Sequence, residues 1–490
     1  MESLTFKDLI DEALAINDLS INKLATTIGV DRPWLQHALV GRRNLGYDNF
    51  EKIMEILNLP EHLNTALRTA FAKEYFGEAN FSIIEHMSDV FNQMAARENT
   101  PAPQALDSTT ELSELIDISE LNDTQSKFLN VLYDLLYTEL KNQKPTIYTT
   151  YSFDIECIRM LFLQIIRSTN RVLDYKHLLY READSSETEV IDSYLYQFEF
   201  AGYGYNTYIS QSRKGLSASP LPYFIMTSEA VIFFSQNLEL FVVDKSPSTV
   251  SYINSFFQKN VASSLPFSYF MYTKEAFTLF PSLIPHTTNE PTTYCYDLSA
   301  NLCLATYFSS DILADAIPDW FEHKDFFVHG IEGFFGNYKD TPHSVVWHMN
   351  SLIQFTEKDE DICDYHNVTF DILNISPKNK YALLCKLREC AYNNVIRHFI
   401  MNNKLNFPSY FHINCYSNSL ILGFNFRVYD IEREQAYITT AVSQDPIVYK
   451  HLRNFSEYFE HSQYVYSTSP EYAITQIDNA IAYYKKKHNF

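Results

Sequence analysis

The chain has 490 residues, 46% of them hydrophobic and 15% aromatic, which predicts a well-packed protein of two to four domains. No apolar run reaches the roughly 18 residues of a membrane span, the N-terminus does not resemble a signal peptide, and the seven cysteines are scattered. These features argue against a membrane protein, a disulfide framework and a Cys-x-x-Cys zinc site, and they predict a cytoplasmic protein with reduced thiols.

The first 76 residues predict an all-α unit. Ser20 and Asp31 have the side chains of N-caps for two short helices, and Gly29 lies in the tight turn between these helices. A second glycine, Gly41, closes the second helix. The predicted helices cover residues 5–16, 21–27, 32–40, 47–58 and 61–76, and a further helix runs from Gly77 to about Ala96.

Two short helices joined in this way have the layout of a DNA-reading helix-turn-helix, whose second helix enters the major groove. The apolar positions that must then point inward are Leu24, Ala25, Ile28, Val30, Leu35 and Ala38. The outward positions on the second helix are Arg32, Pro33, Gln36 and His37. Arginine suits guanine, glutamine suits adenine, and a neutral histidine can make one hydrogen bond with a base edge.

The segment from Leu19 to Arg43 resembles the helix-turn-helix of the phage-repressor (Cro-like, or XRE) family of transcriptional regulators. The resemblance covers about residues 5–60 and rests on Leu19-Ser-x-x-x-Leu-Ala-x-x-Ile-Gly-Val, Asp31-Arg-x-x-Leu, Gly41-Arg-Arg and Ile53-x-x-Ile-Leu-Asn-Leu. It implies that Arg32, Pro33, Gln36 and His37 face bases, and that Ser20, Asn22, Arg42 and Arg43 contact phosphates.

The chain departs from the family at several positions. Ile21 stands where the family usually has glutamine, Trp34 is bulky where small residues are common, and Leu39 and Val40 are apolar where polar groups usually occur. Two other interpretations therefore stay open. The motif can be a degenerate one that mediates dimerisation or docking, or an ordinary helical hairpin.

Residues 97–110 lose the helical periodicity and contain two prolines, so they predict a linker. Beyond it, helices predicted over about 122–142, 154–168, 246–258, 378–400 and 470–486 alternate with β-rich runs. These runs cover residues 146–151, 223–226, 231–234, 238–243, 410–413, 420–422 and 464–466. The segments starting at Pro222 and Pro408 are alike, and each predicts a hairpin.

The predicted fold class is therefore multidomain, with an all-α N-terminal helix-turn-helix domain and a large α/β or α+β C-terminal region. The C-terminal region can consist of two related halves. The predicted units are residues 1–76, a connecting helix and linker over 77–110, and sensor halves over 111–290 and 291–490.

No catalytic site, cofactor or metal site is predicted. Glycine-rich phosphate loops, Gly-x-Ser-x-Gly and His-Glu-x-x-His do not occur in the sequence. The densest histidine region contains His323, His329, His343 and His348, with Glu322 and Glu332 nearby. These histidines lack the i, i+4 spacing of a helical metal site, so the sequence favours histidines on the surface or in loops over metal ligands. The basic end Lys485–His488 suits the C-terminus of a helix, and a second nucleic-acid contact there is the lesser alternative.

The prediction is a non-enzymatic transcriptional regulator that binds a double-stranded DNA operator as a homodimer. Residues 1–76 carry 8 Lys and Arg against 11 Asp and Glu, a net charge of −3, and the remainder carries 30 against 49, or −19. Because neither part is basic, binding has to come from a local basic face and from two half-sites. The C-terminal region would dimerise and sense a small-molecule or peptide effector. The alternative is an enzyme, effector or interaction protein whose motif only autoregulates or docks a partner.

Overall fold

The fold is that of a computed structural model of the full chain. It describes residues 5–98, 110–168, 173–181, 185–200, 204–210, 219–266, 295–302, 304–319, 324–325, 328–329, 342–358, 374–393, 396–409, 411–416, 420–430 and 435–490. Within these ranges, no helix has both the length and the apolar character that crossing a bilayer requires.

Helices follow one another from residue 6 to residue 98. They are α1 (Phe6–Ile16), α2 (Ile21–Ile28), α3 (Arg32–Leu39), α4 (Tyr47–Ile56), α5 (Glu61–Phe76) and α6 (Glu78–Glu98). Helices α1 to α5 share one hydrophobic core, which extends from Phe6 to Phe71 and includes the stacked rings of Phe50 and Phe71 with centroids 4.0 Å apart. These helices agree with the predicted ones to within a few residues.

The strands of the first mixed sheet, sheet A, lie between residues 146 and 266, and the helices that pack with this sheet begin at residue 112. Its elements are α7 (Leu112–Leu115), α8 (Asp123–Glu139), β1 (Thr146–Thr149), α9 (Glu156–Arg167), β2 (Asp174–Tyr180), α10 (Glu187–Phe200), β3 (Tyr205–Ser210), β4 (Tyr223–Met226), β5 (Val231–Phe234), β6 (Phe241–Asp244), α11 (Pro247–Ser263) and β7 (Leu265–Pro266). The strand order is β6-β5-β4-β1-β2-β3-β7, with β1, β2 and β3 parallel.

The second mixed sheet, sheet B, has the order β10-β9-β8-β11-β12-β13, with β8, β9 and β10 parallel. Its strands and helices are β8 (Cys295–Ser299), α12 (Ser310–Ala316), β9 (His343–His348), α13 (Met349–Glu357), α14 (Pro377–Tyr392), β10 (Ile396–Met401), β11 (His412–Tyr416), β12 (Leu420–Asp430), β13 (Gln435–Ser443), α15 (Pro446–Glu460) and α16 (Pro470–His488).

The two sheets share one topology. In each, three parallel strands lie side by side in chain order, and an antiparallel meander of the next three strands begins beside the first of them. The meander is followed in each case by a helix that begins at a proline, Pro247 in α11 and Pro446 in α15. The predicted likeness between the segments at Pro222 and Pro408 thus falls at the start of the fourth strand of both sheets, and both predicted hairpins form.

The layers stack with a shared core between the sheets. Helix α11 covers the outer face of sheet A, where Phe257 stacks on Tyr148. Helices α8, α9 and α10 cover its inner face, and α15 covers the facing side of sheet B. Helix α15 also contacts α6 and α10, whereas α12, α13, α14 and α16 cover the outer face of sheet B.

Three predicted elements differ from the observed ones. The helix predicted over 378–400 ends at Tyr392, and residues 396–401 form β10. The sequence did not predict this strand, because it is buried on both faces and lacks the alternation that marks a half-exposed strand. The strand predicted over 238–243 begins only at Phe241, since Leu238 has a left-handed φ of 60°. Residues 464–466 make only a single bridge, between Val465 and Met401.

The predicted unit boundaries at 76, 110 and 290 stay predictions. Most of the predicted linker, residues 99–109, and the boundary between residues 290 and 291 lie outside the described ranges. Arg97 and Glu98, which we expect in the linker, belong to α6.

Candidate nucleic-acid interface

The local structure of α2 and α3 follows from their capping residues. The Ser20 hydroxyl accepts a hydrogen bond from the Lys23 N–H at 3.2 Å, and the Asp31 carboxylate accepts one from the Trp34 N–H at 2.7 Å. Gly29 ends α2 in the left-handed region, at φ 78° and ψ 31°, where a side chain is disfavoured. The start of each helix and the turn between them are therefore set by three local features, the two N-caps and the left-handed glycine, all of which the sequence predicts.

Helix α3 has one buried face and one exposed face. Leu35, Ala38 and Leu39 are buried against the N-terminal core, whereas the predicted base-reading residues Arg32, Pro33, Gln36 and His37 are all exposed. At 100° per residue these four positions span about 140° of the helix circumference, opposite the buried stripe. The structure therefore brings the four side chains together on one solvent-facing surface.

The residues predicted to contact phosphates flank this surface. Ser20 and Asn22 are exposed at the start of α2, and Arg42 and Arg43 are exposed just after α3. Gly41, with φ 69°, turns the chain toward the two arginines. Between residues 19 and 46 the sequence has four Lys and Arg against Asp31 alone, so this segment carries +3 within an N-terminal unit of −3.

The family departures have local packing reasons. Leu39 is only 1% exposed and belongs to the N-terminal core, so an apolar residue is required there. Trp34 and Ile21 are partly buried against the same core. Val40, in contrast, is 49% exposed, and Val30, which we expect to point inward, is only partly buried.

A polar network joins α4 and α5 of the N-terminal helices to the C-terminal part of the chain. The Glu51 carboxylate of α4 accepts hydrogen bonds from both Nη atoms of Arg68 at 2.7 and 3.1 Å and from the Thr468 hydroxyl at 2.9 Å. His461 Nδ1 lies 3.2 Å from the same carboxylate, and the His461 carbonyl accepts a bond from Arg68. We call Glu51, Arg68, His461 and Thr468 the docking network.

The electrostatics of Glu51 reflect this network. Burial alone would raise the pKa of its carboxyl, but the hydrogen bonds from His461 and Arg68 and the Arg68 charge outweigh burial and lower the pKa to about 2. Glu51 therefore holds a full negative charge at neutral pH between the Arg68 guanidinium and the His461 ring, and it fixes α4 and α5 to the chain after α15.

Aromatic contacts extend the same junction. The Tyr47 ring stacks on His461 with centroids 4.0 Å apart, and the Tyr75 hydroxyl donates to Glu457 at 2.8 Å. The Tyr458 ring meets Phe81 edge-on at 5.5 Å. The junction thus holds α4, α5 and α6 against the C-terminal end of α15, and it leaves the exposed face of α3 toward solvent.

Sequence reasoning missed the residues of this junction. Glu51, Tyr47 and Tyr75 look like ordinary members of amphipathic helices, and their partners lie roughly 400 residues away in the chain. No local pattern could have found them, because the sequence spacing of a long-range pair carries no periodic signal.

The histidine region does not assemble a metal site within the described residues, where no three His, Cys, Asp or Glu side chains converge around a cation position. His343 is buried in β9, His348 accepts from the Asn350 N–H as the N-cap of α13, and the exposed His329 has Nδ1 2.6 Å from the Asp325 carbonyl oxygen. His323, Glu322 and Glu332 lie outside the described ranges.

Comparison with known proteins gives no family for the chain: no protein-family model and no curated protein matches it. The function has to be inferred from the geometry of the residues themselves.

Proposed function

We propose that the protein is a sequence-specific DNA-binding transcriptional regulator in which α3 reads base edges in the major groove. The observation that carries the proposal is the single exposed face of α3 with Arg32, Gln36 and His37, fixed by the capped α2–α3 turn. Arginine and glutamine offer the bidentate contacts that distinguish guanine and adenine, and Pro33 offers an apolar contact to a thymine methyl group.

The electrostatics support a local mode of binding. Arg42 and Arg43 lie at the end of α3, where they can contact the backbone, and the surrounding segment is basic although the chain is not. Because few phosphate contacts are available to one copy, affinity requires two copies on half-sites about one helical turn apart. The junction on α4 and α5 supports this mode, since it holds the N-terminal helices without covering α3.

The test is selection of binding sites from a random double-stranded DNA library with the full chain, followed by titration of the best site at two salt concentrations. We expect a two-fold symmetric site. Arg32→Ala and Gln36→Ala should each weaken binding by about tenfold or more and relax the preference at one position. Arg42→Gln should weaken binding to every sequence and reduce the salt slope by about one unit.

Arg388→Ala is the matched control, because Arg388 is an exposed arginine on α14, a helix of the outer face of sheet B, where it pairs with Asp478. Selection of no sequence, or an unchanged affinity of Arg32→Ala and Gln36→Ala, would overturn the proposal. Retained binding of a protein partner by a chain that ignores DNA would favour the docking alternative.

A further inference from the structure

A cavity of about 280 Å³ opens at the carboxyl ends of the parallel strands of sheet A. Its wall includes residues just after β1, the end of β2, part of β3 and the start of β4. The chain leaves β1 toward β2 on one side and later returns to place β4 on the other side, so the cavity lies at the topological switch point of the sheet. Open α/β sheets bind small ligands at this position.

The corresponding edge of sheet B is built differently. Helix α13 begins at Met349, directly after β9 ends at His348. In sheet A, β2 ends at Tyr180 and α10 begins only at Glu187, and Arg181 and Ser185 of this connection line the cavity. The connection from the second parallel strand to the next helix is therefore longer in sheet A than in sheet B.

The charged groups of the wall have both signs. Arg181 supplies a guanidinium, and Asp154 and Glu189 supply carboxylates. The side chains of Leu179, Val190 and Ile209 supply apolar surface between hydroxyl-bearing residues. A purely anionic ligand would meet two carboxylates and a purely cationic one would meet Arg181, so the wall suits a small molecule that carries both charges.

Arg181 already has a partner outside sheet A. Its guanidinium pairs with Asp445, the N-cap of α15, and the side chains are 26% and 12% exposed. The other oxygen of Asp445 accepts from the Ile447 and Val448 N–H groups at 2.9 and 3.3 Å. A ligand carboxylate at Arg181 would therefore compete with Asp445 without removing the cap of the helix.

Helix α15 connects this cavity to the N-terminal helices. Its N-terminal half pairs His451 with Glu187, the first residue of α10, at 2.6 Å. Its C-terminal end contacts Tyr75 through Glu457 and leads into His461 of the docking network. At 1.5 Å per residue, the 15-residue helix spans roughly 22 Å between the two sites.

We infer that this cavity is a regulatory site for a small zwitterionic molecule of the α-amino-acid class, whose carboxylate replaces Asp445 at Arg181. The ammonium group of the ligand is held by Glu189 and Asp154. Occupancy breaks the contact between sheet A and the start of α15, and so changes the position that α15 imposes on the N-terminal helices. The effect on DNA affinity rests on the proposed function, but occupancy of the cavity does not.

The experiment is titration calorimetry of the DNA-free full chain with each of the twenty common L-amino acids. We expect at least one to bind with a sub-millimolar Kd. Arg181→Gln should weaken that binding at least tenfold, because it removes the charge-assisted pair, and Glu189→Gln should weaken it severalfold while keeping the capping contact to the Ser186 N–H. Asp445→Asn should tighten it severalfold, because asparagine still caps α15 but no longer competes for Arg181.

Arg388→Gln is the control with a paired surface arginine elsewhere, and it should bind as the wild type does. Circular dichroism of each variant checks folding. If Arg181→Gln misfolds, the affinity of Asp445→Asn for the amino acid still tests the inference. Binding of none of the twenty amino acids, or an unchanged or weakened affinity in Asp445→Asn, would overturn the inference.

The link to DNA is read separately, from the Kd of the selected site with and without the amino acid. A change of fivefold or more, matched by an equal change in amino-acid Kd on adding DNA, is expected from linkage. An unchanged DNA Kd would overturn the role of α15. Amino-acid binding without any DNA selection would refute the proposed function and leave the cavity assignment standing, and the reverse result would refute only the cavity.

Discussion

Glu51 allows a quantitative prediction about the junction between the N-terminal helices and the C-terminal part. Its pKa is lowered from the ordinary value of 4.5 to about 2, and its side chain is only 17% exposed. At about 1.4 kcal/mol for each pH unit between the two pKa values, the ionised carboxylate stabilises the folded chain by about 3 to 4 kcal/mol at neutral pH. Glu51→Gln keeps the size of the side chain but places an amide group against Arg68, His461 and Thr468, and we expect it to lose most of this energy.

The sign of the pH dependence is fixed by the direction of the shift. Because the folded-state pKa is lower than the unfolded one, the stabilisation is complete above about pH 4.5 and disappears as the pH falls toward 2. The difference between wild type and Glu51→Gln should therefore be constant from pH 7 to about pH 5 and should shrink below that.

The assay is amide hydrogen exchange of the full chain, read at α4 and α5. A loss of about 3 kcal/mol corresponds to roughly 100-fold faster exchange of the best-protected amides there at pH 7. Urea denaturation at pH 7, 5 and 4 gives the pH dependence. Glu55→Gln is the control, since Glu55 is exposed on the same helix. Equal protection in both variants, or a difference that does not change on acidification, would refute the role assigned to the docking network.

Three further outcomes are expected. Gly29→Ala should lower the free energy of unfolding by about 1 kcal/mol in a urea titration, because φ is 78° although no atom lies within 4 Å of the added Cβ; no loss would mean that the turn relaxes. Glu74→Gln should tighten binding to the selected DNA about threefold at low salt, because it removes a negative charge beside Gly41, next to Arg42 and Arg43. Burial raises the pKa of the Glu74 carboxyl. Weaker binding by Glu74→Gln would contradict this placement. Burial raises the folded-state pKa of Glu460 to about 8, so the wild type loses stability between pH 4.5 and pH 8 as the carboxyl of the unfolded chain ionises. Glu460→Gln does not ionise, so it should be increasingly more stable than the wild type over this range, by up to about 5 kcal/mol at pH 8. A difference in melting temperature between the two proteins that stays constant from pH 4.5 to pH 8 would disprove this.

The amino-acid sequence by itself determined the elements whose signals are short-range. Caps at Ser20 and Asp31, the left-handed Gly29 and the periodic apolar stripes act within a few residues, so the N-terminal helices and the exposed face of α3 could be predicted from them. The hairpins after Pro222 and Pro408 were predictable for the same reason, since each joins neighbouring segments.

Tertiary structure alone decided the rest. Residues 396–401 became a strand only because β9 offers a parallel partner, and a strand buried on both faces carries no alternating pattern. The pairs Arg181–Asp445 and Glu51–His461 join residues 264 and 410 positions apart, which no local periodicity encodes. The cavity is connected to the docking network because α15 of sheet B packs against α10 of sheet A and against α6, which is a property of the whole fold.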